Sequence, residues 1–111
     1  MNDLKADITQ LLIVFDKLLI PPTNEELGVY WFDANRSDGL VVTLSFSIYE
    51  RYVSVLVCNN LDIASARVHM KNCSEIRVLD EKRKCLEILH ADGRGRCFLT
   101  LLEDPVLQYS E

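Results

Sequence analysis

The side chains best suited to acid–base, nucleophilic or metal chemistry here are two histidines and four cysteines, and their spacing limits what they can do. His69 falls on the polar face of an alternating stretch beside Arg67 and Lys71, the setting of a solvated imidazole. His90 closes an apolar run just before a turn. Glu87, three residues back, would face the other side of a strand, so the two cannot pair as acid and base. Cys58, Cys73, Cys85 and Cys97 lie 15, 12 and 12 residues apart. None forms the tight pair that zinc sites usually present, so no metal is expected. Cys97 is in phase with Leu99 and Leu101, and Cys58 extends a hydrophobic run, which makes both read as core thiols. The chain has no G-x-S-x-G elbow, phosphate-binding glycine loop or H-E-x-x-H helix. Asp92-Gly93-Arg94-Gly95 has the length and flanks of a hairpin turn. No catalytic residue and no cofactor are expected, and an enzyme reading would have to rest on His90 or one of the cysteines.

The elements that would position these groups are mostly strands. Leu40–Tyr49 alternates strictly, with Val42, Leu44, Phe46 and Ile48 on one face and Thr43, Ser45 and Ser47 on the other. A β-branched run, Tyr52–Cys58, follows. Gly28–Ala34 precedes this pair, with Tyr30 and Phe32 facing one way and Val29, Trp31 and Asp33 the other. The turn formers of Asn35–Gly39 join it to Leu40–Tyr49 as a hairpin. Ile63–Met70, Glu75–Asp80, Cys85–Ala91 and Arg96–Leu102 complete about seven strands. The last two carry apolar groups on both faces, which predicts a central position, a covering helix or a subunit contact such as a homodimer. The alanines of Ile63–Met70 suggest close packing against the helix, and the tail from Glu103 is expected to fray.

Ahead of these strands, Leu4, Ile8, Leu11, Leu12, Phe15, Leu18 and Leu19 recur at helical spacing. They predict one amphipathic helix, capped by Asp3 and stopped by Pro21-Pro22. The expected fold is α+β: an N-terminal amphipathic helix packed on a twisted, mainly antiparallel sheet or half-barrel of about seven strands. At 111 residues the chain is expected to be a single domain, residues 1–111.

Composition excludes some partners. The net charge is −5. A protein that binds nucleic acid directly needs clustered cations to displace phosphate counterions, and this chain lacks that footprint. The imbalance lies wholly in residues 1–50, where eight acids face Lys5, Lys17 and Arg36. A basic protein partner would be drawn to that half. No stretch is long enough to span a membrane, and the first twenty residues lack the positive start of a secretory signal. Reduced thiols in the cytoplasm are the expectation.

Taken in order, these elements resemble a known family. A helix and a proline-bearing connector lead to Ser37-Asp38-Gly39 and then to Leu40-Val41-Val42-Thr43-Leu44-Ser45-Phe46. His69-Met70-Lys71-Asn72-Cys73-Ser74-Glu75-Ile76 follows, and the order closes with Arg96-Cys97-Phe98-Leu99-Thr100-Leu101. The pattern is similar to the small immunity proteins of bacterial polymorphic toxin systems, including those of contact-dependent growth inhibition, and covers roughly residues 4–102. The resemblance implies a protein that binds the toxin domain delivered by a neighbouring cell and blocks it, with no catalysis of its own. Such toxins are often nucleases with basic substrate-binding surfaces, against which carboxylates can stand in for phosphates. The family's binding residues vary, so the resemblance transfers none. From the residues themselves, the candidate contact surface is Glu25, Glu26, Asp33 and Asp38, with Tyr30 and Trp31 among them as aromatic anchors. On residue type alone, Trp31 is expected in the core and the acids on a solvated rim.

Overall fold

Among the described residues, ten short strands form two five-stranded sheets that, with one short helix, share an apolar core. The computed structural model describes residues 3–19, 28–59, 61, 63–93, 95–102 and 106–110. The first sheet has the order β2 (Lys17–Leu19), β3 (Val29–Asn35), β4 (Val41–Ser47), β5 (Val53–Cys58) and β6 (Ala64–Met70). All of its pairings are antiparallel. The second sheet has the order β1 (Lys5–Ala6), β7 (Cys73–Asp80), β8 (Cys85–His90), β9 (Arg96–Thr100) and β10 (Leu107–Ser110). Only β1 lies parallel to its neighbour there, with Lys5 opposite Glu75 and Ala6 opposite Ile76.

Alternation explains the core. Phe32, Val42, Leu44, Phe46, Val53, Val55 and Val57 point inward from the first sheet. Ile76, Leu86, Ile88, Cys97 and Leu99 answer them from the second. Phe32 sits at the centre, its ring 6.1 Å from Phe46 and 5.6 Å from Phe15. The seven expected strands are all present as β3–β9, and β8, apolar on both faces, is the middle strand of its sheet.

The structure corrects three expectations. The helix spans only Ile8–Val14, between β1 and β2, and buries Leu11 and Val14. Its N-cap is Asp7, whose side chain accepts from the Gln10 N–H at 3.2 Å, so Asp3 does not cap it. It ends at Phe15, well before Pro21-Pro22, which lies outside the described residues. The strands form two sheets rather than one, because Lys71-Asn72 carries the chain from the edge of the first into the second. Asn72 adopts a left-handed φ of 55° there, which asparagine tolerates better than most residues. The alanines of β6 do not receive the helix: Ala64 is exposed on an edge strand, while the helix packs on β3.

Smaller departures have local causes. Ser47, expected on the wet face, is buried and accepts from the Glu50 N–H as the chain turns. The last described residues do not hang free, since β10 pairs with β9 from Leu107 to Ser110. Among the described residues no helix is long and apolar enough to cross a membrane.

Candidate functional site

Antiparallel register builds a surface on the outer face of the first sheet. One row runs Trp31, Ser45, Ser54, His69 across β3–β6, and the next runs Asp33, Thr43, Leu56, Arg67. Every member comes from the non-core phase of its strand, so the face is set by the same alternation that makes the core. Trp31, Thr43, Ser45, Ser54, Leu56, Arg67 and His69 line a shallow depression of about 460 Å³. Trp31 is 41% exposed, which corrects the expectation that it packs in the core. The core position on this strand goes to its neighbour Phe32.

The candidate contact residues separate. Trp31 and Asp33 share this outer face, two residues apart on β3. Tyr30 faces the other way, half-buried, with its ring stacked on Phe46 at 5.6 Å. Asp33 accepts a hydrogen bond from the Thr43 hydroxyl at 2.7 Å. Asp38 lies at the β3–β4 turn, where it accepts from the Leu40 N–H at 3.1 Å and pairs with Arg36 at 3.3 Å. Gly39, at φ 89°, provides the left-handed conformation that this turn requires. Glu25 and Glu26 lie outside the described residues.

Three of the residues named for an enzyme reading, His90, Cys73 and Cys97, are engaged within the fold, while Cys58 and Cys85 are half-buried free thiols. His90 Nδ1 donates to the Lys71 carbonyl at 2.8 Å, the only role a carbonyl permits. Its Nε2 is then free to accept from the Tyr109 hydroxyl at 3.0 Å, so both ring nitrogens are hydrogen-bonded within the protein. Cys73 and Cys97 are buried, and burial pushes both thiols up to about 11; for Cys73 the neighbouring Cys97 adds to the effect. A thiol held protonated is a poor nucleophile. Among the described residues, no group of three His, Cys, Asp or Glu could hold a metal ion.

One hydroxyl–imidazole pair escaped the sequence reading. Ser54 Oγ is hydrogen-bonded to His69 Nδ1, and the Tyr52 ring lies 5.7 Å from the imidazole. Only cross-strand register reveals that Ser54 and His69, fifteen residues apart, are opposite each other. Both side chains come from the outer face of the first sheet and line the same depression. The pair therefore contributes to a surface.

The second sheet presents a different outer face. Glu87, on β8, is only 4% exposed although it points away from the core. Arg96 approaches it at 3.2 Å and Arg77 at 3.7 Å, and Arg77 also meets Glu75 at 3.4 Å. Its charges are satisfied among themselves.

No family model matches the sequence, and no curated protein matches it. A comparison of folds finds a counterpart among solved structures. It is a chain of the complex described as "Contact-dependent growth inhibition toxin - immunity protein complex from Klebsiella pneumoniae 342". The superposition has a TM-score of 0.68 at 14% sequence identity and covers 98% of this chain and 94% of that one. The chain thus shares, over nearly its whole length, the fold of a component of a toxin–immunity complex.

Proposed function

We propose that this protein is an immunity protein that binds a cognate toxin domain and neutralises it by covering its active or substrate-binding surface, without catalysis of its own. The observation that carries this reading is the fold shared with a component of a toxin–immunity complex across 98% of the chain. It agrees with the resemblance in strand order and spacing, which is independent of any superposition. The engagement of His90 and the burial of Cys73 and Cys97 add support, because they tie up three of the residues named for catalysis.

The finer reading is a basic toxin, in particular a nuclease, met in the cytoplasm. The excess negative charge of residues 1–50 favours fast association with such a partner, since a net field raises on-rates more than it raises affinity. The test is to look for a toxin domain encoded immediately upstream and to express it with and without this chain. The expected result is a stable complex on gel filtration and restored growth of cells producing the toxin. A toxin domain that neither binds nor is silenced by this chain refutes the reading.

A further inference from the structure

We propose that the outer face of the first sheet, centred on Trp31 and Arg67, is the surface that docks the toxin. It would take a toxin segment presenting a carboxylate beside an apolar side chain. This rests on the immunity reading and adds the surface and the chemistry of its occupant. The two outer faces of the protein differ in the way such a contact requires. On the second sheet, Glu75, Arg77, Glu87 and Arg96 neutralise one another. On the first sheet, Arg67 is exposed and, among the described residues, has no carboxylate partner.

Register shows why Arg67 stays unpaired. Asp33 is the acid in its row, but Thr43 and Leu56 stand between them. Three strand spacings separate the two by about 14 Å, beyond the reach of a direct pair. Asp33 is also held by Thr43. The β6 edge of the depression therefore presents Arg67 and the imidazole of His69, while its β3 edge presents the indole of Trp31, with the half-buried Leu56 in the floor. Tryptophan and arginine are the residue types that most often dominate binding energy at interfaces, above all where a pocket lets them be fully desolvated. A guanidinium covered in this way calls for an oxygen anion from the partner.

The sign of this contact is opposite to that of the protein's overall charge. The acidic N-terminal half would steer a basic toxin inward at long range, while the docking spot itself selects a local carboxylate. The two contributions are separable in kinetics: field effects appear in the association rate, and loss of a desolvated anchor appears in the dissociation rate.

The test is to titrate the upstream-encoded toxin domain into the wild-type protein and into Trp31→Ala, Arg67→Glu and, as a control on the other sheet, Gln108→Ala. All three positions are on outer faces, so folded variants that still melt cooperatively are expected. Trp31→Ala and Arg67→Glu should each weaken binding at least tenfold, mainly through faster dissociation, and Gln108→Ala should not. An Asp→Lys or Glu→Lys change in the toxin should restore affinity specifically to Arg67→Glu. Wild-type affinity in both folded variants overturns the surface while leaving the immunity reading intact, whereas absence of binding by the wild-type protein overturns both. Should Trp31→Ala instead dissociate a dimer without changing toxin affinity, the face is a self-contact and the proposal falls.

Discussion

The carboxylate of Glu87 lies beneath the guanidinium of Arg96, Oε2 3.2 Å from Nη1, while Arg77 closes over the other oxygen at 3.7 Å. Two cations from the flanking strands thus allow an acid to be buried on the middle strand of a sheet. Glu87→Ala removes the acid but leaves two half-exposed arginines that can hydrate. The expected loss of stability is therefore about 1–3 kcal/mol, below the range for breaking a fully buried pair. Urea denaturation measures it, and an unchanged midpoint would contradict the geometry.

Alkaline pH should destabilise the protein through two thiols. Burial pushes Cys73 and Cys97 up from 9.0 to about 11. In the unfolded chain both release protons near 9, whereas in the folded chain they hold them. Their contribution is fully present below pH 9 and is lost as pH rises from 9 towards 11. The stability of a Cys73→Ala/Cys97→Ala variant should fall less steeply over that window. Equal slopes would show that the thiols do not carry the effect.

Thiol labelling gives a second check on the same burial. In the native protein a neutral disulfide reagent should modify Cys58 and Cys85, which are half-buried, well before Cys73 and Cys97. All four should react in denaturant. Rapid native labelling of Cys97 would exclude its place in the core.

Gly95 lies against the His90–Tyr109 hydrogen bond, and a Cβ there would run into the Tyr109 hydroxyl and His90 Cδ2. Gly95→Ala should therefore loosen β10 from β9, seen as faster amide exchange at Gln108 and Ser110. Removing the obstructing oxygen with Tyr109→Phe should partly restore protection in the double variant. Full protection in Gly95→Ala alone would mean that the ring moves aside freely.

Phe32 is the aromatic centre of the core, fully buried between Phe15 and Phe46. Phe32→Ala should destabilise by about 3–5 kcal/mol. Trp31→Ala, one residue away on the opposite face, should cost well under half as much. Comparable losses at the two positions would reverse the assignment of faces.

Strand identity was legible wherever alternation was clean, which is why β3–β9 could be read from Val42, Leu44, Phe46 and their counterparts. The N-terminal segment misled because Leu4, Leu11, Phe15 and Leu18 suit one long helix as well as a strand–helix–strand unit. Tertiary pairing decides between them: Ala6 finds Ile76, and Leu18 finds Phe32. No local signal marks Leu107–Ser110 as a strand, since its partner Arg96–Leu99 is what orders it. The acids that charge made conspicuous, Asp33 and Asp38, are engaged by Thr43, Leu40 and Arg36. The face holding Trp31, Leu56 and Arg67 is spread over β3, β5 and β6, so it emerges only once registers are known.

The first sheet is continuous in sequence from Lys17 to Met70, each strand pairing with the next, so it can assemble as soon as that stretch has been synthesised. Lys5 and Ala6 must wait for Glu75 and Ile76, and the Leu4 N–H meanwhile reaches the Ile48 carbonyl at 2.9 Å. The earliest-made strand is thus secured late, after a loop closure that spans the whole first sheet. It acts as a latch: the first strand of the fold fastens the two halves together at the end.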